Sequence, residues 1–410
     1  MANPRVTGDV EEGIDHDGRA GQPTICVVGS GAHFLSGISY YTHGLTEALA
    51  TRFPTSAVLM RRLIPSRLYP GHSRVGHPLS TMTYPASVPV LDGLDWFWGR
   101  SLWRTLRFLR RQRPTILVLQ WWTGAVLHSY YALARAARRA GARIVIEFHE
   151  VQDVGEQRIP LVSSYVDVGL PRLLRLADGF VVHSEFDRAA LERRFGLGTR
   201  PVALIPHGPY QQYAAVPRAP RDPGGPCRLL YFGVIRPFKG VEDLLEAWDQ
   251  LDDDEVAGYH LTVVGETWEG CTGPGELIAA SRHRDRITFV NRYVTDEEAG
   301  EFFADADVVV LPYHRSSSSG PLHVAMAHGL PVVLTAVGGL VEAAGDYEGA
   351  VFVPPRDPQA IRRALPRARA LRGRRFPDPH SWTQTVERYA ALIERITTSD
   401  VAAVPVEDLR

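Results

Sequence analysis

Lysine is almost missing from this chain: 410 residues contain a single one, Lys239, and arginine supplies every other fixed positive charge. A compact ammonium and a planar guanidinium are not interchangeable at a shaped site, so the lone lysine marks a position where a point charge is wanted. Cysteine is scarce as well. Cys26, Cys227 and Cys271 are scattered without metal-like spacing, which excludes a disulfide framework and a thiolate zinc site and fits a reducing cytoplasm. No run of 18 apolar residues occurs, and the first twenty residues lack the charged-then-apolar order of a signal peptide. The expectation is a protein neither exported nor membrane-spanning. No basic module with a nucleic-acid-binding signature is present, so nucleic acid is not an expected partner.

What is there reads as an ordinary globular composition, 45% hydrophobic and 22% charged, long enough for two cores. The net charge of -1 conceals an asymmetry. Residues 1–200 carry 24 arginines against 17 acidic residues, and residues 201–410 carry 21 cations against 29 acids. A basic front half suits an anionic partner such as a phospholipid face or a phosphate-bearing acceptor.

Along the chain, short apolar runs end in glycine or histidine and lead into helix-periodic segments. Ile25–Val28 gives way to Gly29, Ser30 and Gly31, then Ser36 and Gly37 lead into a helix-periodic segment, Ile38–Ala50. Ala57–Met60, Ile116–Gln120 and Ile144–Phe148 read as buried strands, the last followed at once by His149. Val181–Ser184 and Val202–Ile205 add two strand ends, the latter running into Pro206-His207-Gly208; His207 either approaches a cleft or caps a turn. The Pro- and Gly-rich stretch 214–226 is a linker. The alternation then restarts with Leu229–Gly240, LLYFGVIRPFKG, and continues through Leu261–Val264, Ile287–Val290, Val308–Leu311 and Val332–Leu334. Two parallel, doubly wound α/β sheets follow from this pattern, and such sheets bind ligands at the carboxyl ends of their strands. The domain reading is a tail over 1–20, a first Rossmann-like domain over 21–213, the linker, a second over 227–381, a return helix over 382–397 that rejoins the first domain, and a tail over 398–410.

Candidate chemistry lies at the strand ends. Arg236 and Lys239, between a strand and a helix start, would converge on an anion. His149 is placed to hydrogen-bond a substrate hydroxyl or to stabilise charge. Ser316–Ser319, between a buried strand and a helix beginning near Leu322, offer hydroxyls and N–H groups to a diphosphate without a metal. Leu94–Arg113 interleaves Trp96, Trp98, Trp103 and Phe108 with arginines. It reads either as a peripheral membrane contact or as a surface helix packing its aromatics on the sheet.

With these residues in hand, the chain resembles the family 4 retaining glycosyltransferases of the two-domain GT-B architecture. The likeness is strongest over 227–356. It rests on G-x-x-R-P-F-K-G, the VVGE strand end at Gly265, VTDEEAGEFFADADVVVLP, AMAHGLPVV and GGLVE. The resemblance implies two Rossmann-like domains facing across a cleft. It also implies transfer of a hexose from a nucleotide-diphosphate sugar, uridine-linked, to a glycan, lipid-linked or small-molecule acceptor, with neither metal nor other cofactor. Arg236 and Lys239 would hold the diphosphate, Gly37 would line the sugar-phosphate side and His149 would face the transferred sugar. The backbone at Tyr293 and Val294 would meet the base. Gly265, Ser316, Ser318, Ser319, Gly320 and Leu322 complete the expected donor site. Family members commonly carry two glutamates eight positions apart; here those positions are Ser316 and Val324, so donor recognition must differ. Two alternatives stand beside transfer: an epimerase or hydrolase on the same fold, and a silent nucleotide-sugar-binding partner. The expected location is the cytoplasm, with membrane association through Leu94–Arg113.

Overall fold

A computed structural model describes residues 21–32, 37–62, 82–150, 160–210, 224–268 and 271–398. The expected tail over 1–20 and most of the expected linker lie outside them, as does the expected C-terminal tail beyond Thr398, which closes the last helix.

Two all-parallel sheets organise the chain. The first contains β1 (Ile25–Ser30), β2 (Thr55–Arg62), β3 (Val90–Asp95), β4 (Ile116–Trp121), β5 (Arg143–Phe148), β6 (Gly179–Val182) and β7 (Val202–Leu204) in the order β3-β2-β1-β4-β5-β6-β7. The second contains β8 (Cys227–Phe232), β9 (Tyr259–Val264), β10 (Ile287–Val290), β11 (Val308–Leu311), β12 (Val332–Thr335) and β13 (Ala350–Val353) in the order β10-β9-β8-β11-β12-β13. β1, β4 and β11 are buried along their whole length. Helices cover both faces of such a sheet, so its central strands are apolar on both sides, and this made them legible as continuous apolar runs.

Each sheet reverses its winding once, between β1 and β4 and between β8 and β11. Loops leave these neighbouring strands in opposite directions, and the crevice between them is where doubly wound sheets take ligands. Gly233–Lys239 leaves β8 and Pro312–Gly320 leaves β11, so both candidate anion-binding segments open on the second crevice.

The chain's last helix, Trp382–Thr398, returns to the first sheet. Trp382 lies where Cβ atoms on Gly44 and Gly208 would fall 2.4 and 2.6 Å from its ring, and its Nε1 donates to the Pro209 carbonyl (3.1 Å).

The structure revises the stretch Leu94–Arg113. Leu94 is buried and belongs to β3, residues 96–99 turn the chain, and the helix runs over Arg100–Gln112. β3 escaped the sequence reading because Asp92, Gly93 and Asp95 interrupt any apolar run at this sheet edge. The helix Pro160–Leu174 escaped it because Gly169 and Pro171 sit inside; Gly169 leaves room for Leu127, whose Cδ2 would be 2.4 Å from a Cβ there.

Candidate active site

The loop after β8 is fixed by close backbone contacts. Gly233 (φ +129) lies against Gly265 (φ +152), where a Cβ would come within 1.9 Å of the Gly233 carbonyl oxygen. Gly240 (φ +64) ends the short turn Pro237–Lys239, and a Cβ there would lie 1.9 Å from the Pro312 carbonyl oxygen. Only glycine meets both demands, the left-handed backbone and the missing volume. Gly265 therefore braces the loop through its backbone.

Both cations of this loop lie on aromatic faces. The Arg236 guanidinium carbon is 3.3 Å from the centre of the Trp268 ring, and Lys239 Nζ is 3.7 Å from the centre of the Tyr313 ring. Such contacts hold a cation in place without neutralising it. Burial is the main influence pulling the Lys239 ammonium down to about 7; the Glu150 carboxylate opposes it and the Arg236 charge adds to it. A cation poised to shed its proton gains most from an arriving anion.

The loop after β11 is largely committed to the fold. Ser316 Oγ donates to the Ser318 carbonyl (2.6 Å), and the Ser316 carbonyl accepts from Gly339 N (3.1 Å). Cβ atoms on Gly338 and Gly339 would lie 2.1 and 2.0 Å from the Ser316 and Ser317 carbonyl oxygens, so the serine run packs on the Gly-Gly turn. Ser319 caps the helix Gly320–Ala327: its Oγ accepts from Leu322 N (3.3 Å) and donates to Tyr313 Oη (3.3 Å). This bond orients the ring beneath Lys239. Gly320 opens the helix, Leu322 is buried in the core, and Val324, at one of the two glutamate positions, is buried as well.

In the first domain, Gly37 begins the helix Gly37–Ala50, and its carbonyl accepts from Tyr210 Oη (2.8 Å). His149 follows β5 and is 2% exposed. Around it lies a buried polar cluster that sequence reading anticipated only at His149 and His207. Three neighbouring strands, β5, β6 and β7, each run into a histidine: His149, His183 and His207. Their ring centres are 4.7 Å apart for His149–His183 and 4.0 Å for His183–His207. His183 Nδ1 lies 2.8 Å from the Ile205 carbonyl, which can only accept, so the proton is on Nδ1. Neutral His183 then accepts at Nε2 from His149 Nδ1 (3.1 Å), and His149 Nε2 is left bare and without a partner. Burial holds all three imidazoles below their ordinary range, His183 at about 4.

Glu147, two residues before His149, accepts from Tyr41 Oη (2.7 Å) and Gln120 Nε2 (3.0 Å). Burial raises it to about 7 against these hydrogen bonds. Tyr41 presents its ring to His149, His183 and His207 together.

The two domains meet around these groups. The His207 ring stacks on His323 of the second domain (5.2 Å), Tyr40 Oη donates to Asp296, and Glu342 accepts from the backbone N–H groups of Glu185 (2.6 Å) and Phe186 (2.9 Å). Asp296 opens a helix whose capping box, Thr295 and Glu298, immediately follows Tyr293 and Val294. Tyr293 packs at the core's margin and Val294 is buried within it. The structure thus gathers Arg236, Lys239, Ser319 and Gly320 around the second crevice, and His149 into the histidine cluster. Ser316 Oγ is hydrogen-bonded within its own loop and the Leu322 side chain is buried, so what these two positions offer the crevice is backbone. Tyr313, Trp268 and His183 gave no sequence signal beyond their positions at or near strand ends, and His323 lies inside the helix Gly320–Ala327.

Two family models match in succession: Glycosyl transferase 4-like domain over residues 36–208 and Glycosyl transferases group 1 over 226–369. A D-inositol 3-phosphate glycosyltransferase of Geodermatophilus obscurus is 29% identical over 345 residues, 78% of this chain and 70% of the relative. A Mycobacterium tuberculosis glycogen synthase is 31% identical over 197 residues, 47% of this chain and 46% of that enzyme. Among solved structures, Anabaena HepE in complex with UDP and glucose superposes with a TM-score of 0.63 at 14% identity, over 91% of this chain and all of that one. Sucrose-phosphate synthase of Thermosynechococcus elongatus gives 0.60 at 19% identity, over 92% and 96%. With one family model on each sheet and the two-domain fold shared with these structures, the chain belongs to the family 4 glycosyltransferases of GT-B architecture.

Proposed function

We propose that this glycosyltransferase moves a hexose, with retention, from a uridine-diphosphate sugar to an acceptor hydroxyl, and that the step at the diphosphate needs no metal. The observation that carries the reading is the pair of cations at the second crevice, Arg236 on Trp268 and Lys239 on Tyr313. Two positive charges held at fixed places match a diphosphate whose charge grows as the glycosidic bond breaks. In the step itself, the acceptor oxygen bonds to the anomeric carbon on the face that the diphosphate leaves. The carbon–oxygen bond to the diphosphate breaks, and the acceptor proton passes to the departing phosphate oxygen. The protein positions the reactants and stabilises the leaving charge. His149, bare at Nε2, accepts a hydrogen bond from a hydroxyl of the transferred sugar, and Gly37 lines its phosphate side. Gly265, Tyr293, Val294, Ser316, Ser318, Ser319, Gly320 and Leu322 frame the donor, chiefly through backbone and packing.

Uridine is part of this proposal, supported by the complexes described for HepE. The acceptor is a glycan, a lipid-linked sugar or a small polyol; inositol phosphate enters the panel because of the relative that acts on it. The helix Arg100–Gln112 carries five arginines and an exposed Trp103 beside Arg107, and Phe97 and Trp98 are exposed in the preceding turn. This face suits contact with an anionic membrane that presents a lipid-linked acceptor.

The test is a donor and acceptor screen with the wild type and Lys239→Ala. The reading expects acceptor-dependent UDP release, reduced at least tenfold by Lys239→Ala. Donor consumption without acceptor would point to an epimerase or hydrolase. Tight donor binding with no product across the panel would point to a silent binding partner. Unchanged turnover in Lys239→Ala would overturn the assignment of the diphosphate grip.

A further inference from the structure

The strand-end histidines form a constellation that a diphosphate grip does not use. His149, His183 and His207 each offer one ring nitrogen, and these three atoms all lie within 4.8 Å of one another. All three residues are more than nine-tenths buried. His207 has no hydrogen-bond partner at either ring nitrogen, and His149 has none at Nε2. A buried imidazole left without partners is costly unless something else satisfies it. Nor is the placement a loop accident. Parallel strands stand about 4.8 Å apart, so residues leaving the ends of β5, β6 and β7 are delivered side by side.

We propose that His149, His183 and His207 form a binding site for a transition-metal ion of the zinc class, the fourth coordination position being left to water. Zinc–nitrogen bonds of about 2.0–2.1 Å put tetrahedral ligand nitrogens roughly 3.3 Å apart. The His149 Nδ1 to His183 Nε2 separation is already 3.1 Å, and His207 needs only a small side-chain adjustment to close on them.

Two of the three rings are set as ligating histidines are, with the second ring nitrogen directed at a backbone carbonyl or a carboxylate. His183 Nδ1 donates to the Ile205 carbonyl, which points Nε2 into the cluster. His149 Nε2 lies 3.9 Å from Glu147 Oε2. When Nδ1 takes the metal, the ring proton moves to Nε2 and faces that carboxylate. Metal binding thus exchanges the His149–His183 hydrogen bond for a carboxylate–histidine–metal array. The nitrogen donor set selects zinc, copper, nickel or cobalt over magnesium or calcium, which take oxygen ligands.

The site is separate from the diphosphate grip, since neither Arg236 nor Lys239 belongs to it. It shares His149 with the proposed sugar contact. A bound ion would therefore occupy the imidazole that otherwise meets the donor, acting as an inhibitory or stabilising ligand and not as a Lewis acid on the diphosphate.

The test uses the full chain, stripped with chelator and titrated with cobalt(II), whose tetrahedral complexes absorb visibly. The expected result is one equivalent per chain with a tetrahedral spectrum, displaced by zinc. The band is lost in His183→Ala and in His207→Phe, the latter keeping an aromatic ring against His323 and Tyr210, with folding checked by circular dichroism. Glu147→Gln weakens cobalt binding roughly tenfold or more, as loss of such outer partners does. No stoichiometric band in the wild type would overturn the proposal, as would a band undiminished in both folded histidine variants.

Discussion

Lys239 makes donor binding a proton-linked event with a calculable slope. In the free protein its pKa of about 7 leaves it half protonated at pH 7 and about one part in a hundred protonated at pH 9. A diphosphate seated beside it favours the ammonium, so binding at pH 9 must first return the proton. If only the protonated form binds, affinity for UDP falls about 50-fold from pH 7 to pH 9, or about 2.3 kcal/mol. Phosphate ionisation, near pH 6, is already about nine-tenths complete at pH 7, so over this window it changes affinity by only about a tenth and in the opposite sense. Titration calorimetry in two buffers of different ionisation enthalpy reads the same linkage directly: proton uptake rises from about one half at pH 7 toward one at pH 9. Lys239→Met should bind more weakly at pH 7 and lose the slope. The folded protein without ligand shows the complementary effect. The unfolded lysine titrates at its ordinary 10.5 and the folded one near 7, so the cost of burying this charge is present in full below 7. It is relieved progressively as the pH rises toward 10.5. A flat UDP affinity in the wild type between pH 7 and 9, or an equal slope in Lys239→Met, would refute the reasoning.

Two further substitutions probe the same loop from different sides. Gly240→Ala places a Cβ against the Pro312 carbonyl in a left-handed backbone, and we expect a loss of about 2–3 kcal/mol, read by chemical denaturation. Trp268→Ala removes the face on which Arg236 rests, and UDP affinity should fall about fivefold, corresponding to about 1 kcal/mol, with little change in the unfolding midpoint.

How far the sequence reveals this molecule depends on whether a feature is local. The parallel strands announce themselves because burial on both faces demands unbroken apolar runs, as in Val308–Leu311. The edge strand β3 does not, since an edge tolerates Asp92 and Gly93. Lys239 was conspicuous from residue usage and chain position alone. The rings beneath the two cations were not: Tyr313 comes from the loop after β11 and Trp268 from the loop after β9, and only the sheet order brings them to Lys239 and Arg236. The serine run shows what the sequence does not tell about hydroxyls. Four hydroxyls between a strand and a helix looked available to a ligand, yet Ser316 bonds to the Ser318 carbonyl and Ser319 caps its own helix.

The histidines carry this distinction furthest. His149, His183 and His207 lie 34 and 24 residues apart, and as single residues each is most simply a turn or core histidine. Their common property is ordinal: each follows a strand, and the three strands are consecutive in the chain. In a doubly wound sheet, strands that follow one another on the same side of the switch point are also neighbours in space. Consecutive strand ends of one residue type are therefore a prediction of a cluster. The register supports it, because Phe148 pairs with Val182 and Val182 with Leu204, so the three chains leave the sheet at one level. What the sequence withheld was the register, since a shift along a strand would move a ring by several ångströms and disperse the group. The same geometry explains why polar residues could gather in so buried a place. Around these strand ends Tyr41 and Gln120 both donate to Glu147, so most of the buried polar side chains find partners in one another. His207 and His149 Nε2 are the remainder: His207 stacks on His323 of the second domain, and His149 Nε2 lies toward Glu147 while its Nδ1 faces the cluster, where a ligand would join the three rings.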